Sequence, residues 1–73
     1  MDDSEICTKL IQIVKESSSN PKGITKTELG RIFIQRWGTS YNMIWDHILD
    51  LIDSGEIESR KISKQRYGLF LIQ

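Results

Sequence analysis

Several residue types that often carry chemistry are scarce in this chain. It has one cysteine, one histidine and one proline among 73 residues, so an internal disulfide is excluded. Cys7 and His47 are together too few for a metal site built from protein ligands. His47 has no nucleophile or carboxylate pair beside it in a known catalytic arrangement, so we expect neither an enzyme nor a bound cofactor.

Long apolar runs are also lacking, and none approaches the roughly 20 residues that a membrane span needs. The acidic residues 1–5 do not have the charged-then-apolar pattern of a secretory leader. We therefore expect a cytoplasmic protein with no membrane contact, and no small-molecule site is evident. In this compartment Cys7 is expected to be a small buried apolar residue, and a disulfide between two subunits is the alternative.

Net charge is absent as well, because ten Lys and Arg balance ten Asp and Glu. Most nucleic-acid-binding domains carry a broad positive excess, so the sum argues against that class. The distribution of charge along the sequence favours nucleic-acid binding. Residues 41–55 hold three Asp and no Lys or Arg, whereas residues 56–73 hold four Lys and Arg against two Glu. Positive charge is therefore concentrated in the last part of the chain.

Apolar spacing predicts two helices in the first half of a single domain that covers residues 1–73. The first is expected over about residues 4–18, with Ser4 as its cap. The second is expected over about residues 25–37, where Thr25 and Glu28 fit a capping box and Gly38 ends the helix. The apolar positions of these helices are Ile6, Leu10, Ile13, Val14, Leu29, Ile32, Phe33 and Trp37.

A third helix is expected over about residues 40–54, capped by Thr39 or Ser40 and followed by a left-handed Gly55. It carries two apolar stripes, which is more apolar surface than one face of a small core requires. Because a chain of this size has a barely sufficient core, the surplus favours a second subunit. The inward stripe is Ile44, Ile48 and Leu51, and the second is Trp45, Leu49 and Ile52.

Residues 56–72 predict a β-hairpin, with strands at 56–62 and 67–72 and a loop at 63–66. The last strand is apolar on both faces, which again favours a partner. Gly23 and Ile24 form one extended step before the second helix, and such a step often pairs with the hairpin edge. The predicted fold is α+β: a winged helix-turn-helix, in which three helices precede a hairpin wing.

Three short segments carry a resemblance to a known family. They are Gly-Ile-Thr-Lys-Thr-x-Leu at residues 23–29, Ser-Tyr at 40–41 and Ser-Gly-x-Ile at 54–57. Over about its last two-thirds, the chain resembles the small archaeal winged helix-turn-helix DNA-binding proteins and their relatives on archaeal viruses and plasmids. The resemblance implies an intracellular homodimeric transcription factor, whose third helix reads the major groove and whose wing contacts the DNA backbone or minor groove.

The expected DNA contacts lie at the starts of the second and third helices and in the basic wing. Asn42 could pair with an adenine edge, Asp46 could accept from a cytosine amine, and wing cations would neutralise phosphates. The plainer interpretation is that these side chains are solvated, and that the wing charges protect a strand edge. The candidates are Lys26, Thr27, Thr39, Ser40, Tyr41, Asn42, Met43, Asp46, His47, Arg60, Lys61, Lys64, Gln65 and Arg66.

Trp37 and Trp45 are assigned to core or interface rather than to base stacking, because they recur at helical spacing among apolar residues. We expect a sequence-specific, homodimeric transcriptional regulator that binds double-stranded DNA. The alternative is a protein-binding module without DNA binding, which explains Asp46 and Asp50 better and the basic wing worse. The expected dimer contacts are Ile6, Leu10, Trp45, Leu49, Ile52, Phe70 and Ile72.

Overall fold

The computed structural model describes residues 2–38 and 41–72, with the side chain of Tyr41 outside the description. These residues form α1 (Asp3–Glu16), α2 (Lys26–Trp37), α3 (Tyr41–Asp53), β1 (Ile57–Lys61) and β2 (Tyr67–Leu71). Three helices followed by a two-stranded antiparallel hairpin are the layout of a winged helix, so the predicted fold class is confirmed. The hairpin is called the wing below. No helix in these two ranges has the length and apolar character needed to span a membrane.

Helix α1 begins one residue earlier than predicted, because its cap is Asp2 and not Ser4. The Asp2 carboxylate accepts a hydrogen bond of 2.8 Å from the backbone N–H of Glu5. A carboxylate at this position also faces the positive end of the helix dipole, which a serine hydroxyl does not exploit. The helix ends at Glu16, where the N–H of Ser17 bonds to the carbonyls of Ile13 and Val14.

Helix α2 has the predicted boundaries. The Thr25 hydroxyl accepts a hydrogen bond of 3.2 Å from the N–H of Glu28, so Thr25 is its cap. The second bond of a capping box, donated by the Thr25 N–H to the Glu28 carboxylate, is not formed between these two described residues, so the capping box is half complete. Gly38 ends the helix in a left-handed conformation (φ 71°), which glycine adopts without steric cost.

Helix α3 ends at Asp53, one residue before the predicted end, and Gly55 after it has the predicted left-handed conformation (φ 83°). The Gly55 N–H bonds to the carbonyl of Ile52, and the Glu56 N–H bonds to the carbonyl of Leu51. These two bonds form a Schellman motif that satisfies the last helical carbonyls. The predicted caps of this helix, Thr39 and Ser40, lie outside the described residues.

The wing is attached to the start of α2 by a backbone bridge. Ile24 pairs with Leu69, whose N–H donates to the Ile24 carbonyl at 2.7 Å. The extended step predicted before α2 therefore does pair with the hairpin. A Cβ on Gly23 would lie 2.7 Å from the Leu69 carbonyl oxygen, and one on Gly68 would overlap the Lys22 carbonyl. The close approach of these two segments thus depends on glycine at both positions.

The core draws on all three helices and the wing, and it includes the predicted inward stripe of α3. Two expected dimer contacts are wrong: Ile6 and Leu10 are 1% and 0% exposed. Both side chains pack inside the single chain, because α1 contacts α2, α3 and β2 through this face. The buried residues are Ile6, Leu10, Ile13, Val14, Ile24, Leu29, Phe33, Ile44, Ile48, Leu51, Ile57 and Leu69.

The two apolar faces of β2 are covered in different ways. Leu69 is buried in the core. On the opposite face, Phe70 is half-buried beneath the Arg60 guanidinium, whose central carbon lies 4.6 Å from the ring centroid. Glu58 pairs with Phe70 across the hairpin and forms an ion pair with Arg60. The second face of this strand is therefore covered in part by the chain itself, which weakens the sequence-based reason for a partner there.

Candidate nucleic-acid interface

A cleft of about 520 Å³ opens where the start of α2, the middle of α3 and the wing loop meet. Its position follows from the fold, since the Ile24–Leu69 bridge holds the wing beside the first turn of α2. Trp45 reaches the cleft from α3, and Tyr67 reaches it from the start of β2. The lining residues are Thr25, Lys26, Thr27, Glu28, Arg31, Trp45, Gln65, Arg66 and Tyr67.

The cleft carries an excess of positive charge. Lys26, Arg31 and Arg66 line it, against one lining carboxylate, that of Glu28. The first turn of α2 adds the positive end of its dipole and the backbone N–H groups of Lys26 and Thr27, which precede the capped N–H of Glu28. Such a combination of cations and free amides suits an anion, and above all a phosphate.

Four of the expected DNA contacts come together in this cleft: Lys26, Thr27, Gln65 and Arg66. Sequence reasoning missed Arg31, although it lies four residues after Thr27 and therefore on the same face of the helix. Other expected contacts lie elsewhere on the surface. Asn42, Met43 and Asp46 are exposed on α3, and Lys61 and Lys64 are exposed on the wing. Thr39, Ser40 and the side chain of Tyr41 lie outside the described part of the chain.

His47 does not face outward as expected, because it turns toward the start of α1. Its Nδ1 lies 2.6 Å from the Met43 carbonyl oxygen, and its Nε2 lies 3.1 Å from an Asp3 carboxylate oxygen. The bond to the Met43 carbonyl is the largest influence that raises the pKa of His47, and the Asp3 bond and the charge of Asp50 add to it. This ring therefore joins two helices, and its position does not suit a base contact.

Arg60 is another exception among the expected contacts. Its ion pair with Glu58 and its contact with Phe70 hold it on the outer face of the wing. The register places Arg60 opposite Gly68, whereas Lys61 lies opposite Tyr67, which lines the cleft. Because alternate strand residues point to opposite faces, Lys61 shares the cleft side of the wing and Arg60 does not.

The exposed face of α3 differs sharply from the cleft. Asp46, Asp50 and Asp53 are exposed on this helix, which has no Lys or Arg anywhere in its sequence. Met43 and Leu49 are also exposed, at 47% and 42%. Three carboxylates would repel the phosphates of a duplex laid along this helix.

The two tryptophans have different surroundings. Trp37 packs against Phe33, with ring centroids 4.8 Å apart, and the Lys9 ammonium lies 4.8 Å from its ring centroid. Trp45 is half-buried in the cleft wall, and the Lys26 ammonium lies 5.1 Å from its ring centroid. The structural role predicted for Trp37 therefore fits its packing, whereas Trp45 presents part of its surface to an open cleft.

Cys7, like His47, lies near the carboxylates of Asp3 and Asp50. Burial is the largest influence that raises the pKa of the Cys7 thiol, and the charges of Glu56, Asp50 and Asp3 raise it further. Its thiol is half-buried against the core, in line with the small apolar role expected for it. Among the described residues, no group of three or more His, Cys, Asp or Glu is arranged to hold a metal ion.

The fold and the cleft together define a small winged-helix domain with a cationic concave surface. Comparisons of the chain with protein-family models, with curated proteins and with solved structures find no match. The function must therefore be argued from the geometry and charge of this molecule alone.

Proposed function

We propose that this chain is a DNA-binding winged-helix protein that holds the DNA backbone in the cleft between α2 and the wing. The observation that carries the proposal is that Lys26, Arg31 and Arg66 come from separate parts of the chain to line one cleft. Edge protection alone would not bring a wing cation together with two cations of a helix. A phosphate bound there would receive charge-assisted hydrogen bonds from the side chains and amide contacts from the α2 terminus.

The net charge of zero makes this local arrangement more important. With no overall positive field, attraction depends on the short-range potential of the cleft and on the exposed Lys61 and Lys64 beside it. If three phosphates are neutralised, the logarithm of the binding constant should fall with the logarithm of salt at a slope of about −3. Binding by a single protomer is thus expected to be weak at physiological salt.

We further propose that the protein acts as a homodimeric transcriptional regulator, because two protomers would double the number of phosphate contacts. Of the expected dimer contacts, Leu49 and Ile72 are the ones that remain more than a third exposed, at 42% and 43%. Leu49→Asp is expected to give a monomer by light scattering, while Ile34→Asp, a change at a 36% exposed position of α2, leaves the dimer intact. A wild-type mass of one chain would contradict the dimer.

The test of DNA binding is a titration of mixed-sequence DNA at several salt concentrations. The double variant Lys26→Ala/Arg66→Ala should lose about tenfold or more in affinity, since it removes two charged contacts. The matched control, Lys15→Ala/Lys22→Ala, removes two exposed cations that do not line the cleft and should bind nearly as wild type. Equal loss in both variants would show that only total charge matters, and no binding at low salt would end the proposal.

A second candidate, a protein-binding module, is favoured by the exposed face of α3. Met43, Leu49 and three exposed Asp side chains would suit a basic, amphipathic peptide better than a phosphate backbone. Two NMR titrations, one with such a peptide and one with DNA, would distinguish the two functions. Shifts at Met43 and Leu49 with peptide, and none at Lys26 or Arg31 with DNA, would favour the module.

A further inference from the structure

The cleft has aromatic residues among its cations, which phosphate binding alone does not require. Trp45 and Tyr67 line it together with Lys26, Arg31 and Arg66, and Tyr67 is 51% exposed. The volume of about 520 Å³ lies within the range of roughly 300–1,000 Å³ that is usual for small-ligand sites. A cavity of this size can admit a nucleotide, whereas a base-paired duplex can only lie across its mouth.

Trp45 is covered on its cleft side by a group that can move. The Lys26 ammonium, 5.1 Å from the ring centroid, ends a flexible four-carbon stem that starts in the first turn of α2. An entering base could take the place of the ammonium on the indole, and the ammonium could then contact the phosphate of the same nucleotide. A cation and an aromatic face in this relation suit a ligand that is both aromatic and anionic.

The acidic face of α3 limits how a duplex could approach. A duplex laid along α3 would bring its phosphates near the carboxylates of Asp46 and Asp53. A single strand that enters the cleft between α2 and the wing has no need to cover that helix. Charge and shape therefore both favour an unpaired strand.

We infer that the cleft binds an unpaired nucleotide of a DNA strand, with its base stacked on Trp45 and its phosphates held by Lys26, Arg31 and Arg66. This inference rests on the proposed function, because it specifies the form of DNA that the same surface holds. The Gln65 amide on the wing loop lies in the cleft lining, where it can bond a base edge as donor or acceptor.

Tryptophan fluorescence gives a direct test, because the chain has two tryptophans with separate surroundings. In the variant Trp37→Phe, Trp45 is the remaining indole, and a stacked base should quench and shift its emission. In the matched variant Trp45→Phe, the remaining indole is Trp37, about 9 Å from Arg31 and about 17 Å from Lys26 along α2 by helical rise. Its emission should not change when the same DNA binds.

The titrations use a mixed-sequence single strand and the blunt duplex of the same sequence, at the same low salt. We expect the single strand to bind several-fold more tightly than the duplex and to quench Trp45. Stacking contributes about 5- to 150-fold to affinity per base, so Trp45→Leu should weaken single-strand binding about tenfold or more. Trp45→Phe keeps an aromatic face and should stay within about threefold of wild type.

The possible outcomes distinguish the inferred binding of an unpaired nucleotide from the proposed DNA binding on which it rests. Duplex binding that is equal or tighter, or single-strand binding without a change at Trp45, would overturn the unpaired nucleotide and leave DNA binding intact. No binding of either form would overturn both. If Trp45→Leu loses its helical circular dichroism, the Trp37→Phe titration still decides the question, because it leaves the cleft unaltered.

Discussion

Two sides of this small domain carry opposite charge, although the net charge of the chain is zero. The cleft side combines Lys26, Arg31 and Arg66, whereas Asp46, Asp50 and Asp53 are exposed along α3. In a winged helix the third helix is the element expected to enter the major groove. Here that helix is the acidic one, so the fold alone does not assign the binding surface, and the charge of individual side chains must do so.

The two sides also differ in how they are built. The cleft depends on a close backbone approach, in which Gly23 and Gly68 let the wing pack against the start of α2. On the acidic side, a side-chain contact joins α3 to α1, because His47 Nε2 lies 3.1 Å from an Asp3 carboxylate oxygen. A backbone clash should therefore damage the cleft severely, while a change of pH should act mildly on the acidic side.

The largest effect is expected from Gly68→Ala. The added methyl group would overlap the Lys22 carbonyl, so the wing must move or the strand must bend. We expect a loss of about 2–4 kcal/mol in the free energy of unfolding, measured by chemical denaturation, and a loss of DNA binding with it. The wing would no longer close the cleft.

The matched control for that variant is Gly38→Ala, which also adds one methyl group. Among the described residues beyond its neighbours in the chain, no atom lies within 4 Å of the new Cβ there, and the positive φ of 71° is the source of strain. A loss of about 1 kcal/mol is expected for an alanine in this conformation. Similar losses in both variants would mean that close contact between wing and α2 is not what holds the cleft together.

A smaller effect is expected from the protonation of His47. Both ring nitrogens face acceptor oxygens, of Met43 and Asp3, so the protonated ring can donate twice and the pKa of His47 is raised. The resulting stability is fully present below the pKa of the unfolded state, about 6.5, and is lost as pH rises through the higher folded pKa. Because the Asp3 side chain is 91% exposed, the contribution should stay below about 1 kcal/mol.

The measurement is the free energy of unfolding of wild type minus that of His47→Asn, at pH 5.5 and at pH 8. The subtraction removes the titration of other groups. The difference in unfolding free energy between wild type and His47→Asn should be smaller at pH 8 than at pH 5.5. When both proteins also carry Asp3→Asn, the change between the two pH values should be smaller. A difference that stays constant or grows would show that the His47 contacts do not favour the charged ring.

Local patterns predicted the three helices, the cap of α2 and the left-handed glycines that follow α2 and α3. Thr25, Gly38 and Gly55 were identifiable because capping and left-handed glycine depend on a few adjacent residues. The wrong cap predicted for α1 has the same origin: Asp2 and Ser4 are both good cap residues two positions apart, and sequence spacing does not separate them. The core stripe of α3 followed from periodicity for the same reason.

Contacts between residues that are far apart in the sequence could not be predicted from local patterns. Periodicity places His47 among the outward positions of α3, and only the fold shows that its ring contacts Asp3, 44 positions earlier. Arg31 became a cleft residue because the wing loop, with Arg66, returns to α2. Ile6 and Leu10 fitted either a core or an interface, and the packing of α1 against three other elements decided it.

The smallest effect concerns single carboxylates on the two sides. Glu28 lines the cleft, so Glu28→Gln removes a repulsion near the bound phosphate and should raise DNA affinity about two- to threefold at low salt. Asp46→Asn removes the same charge from the exposed face of α3 and should change the affinity by less than about 1.5-fold if the DNA stays in the cleft. The two variants have equal net charge, so a difference between them reports position. A larger gain for Asp46→Asn would place the DNA along α3, as in a major-groove complex, and would make the acidic helix the surface that restrains binding.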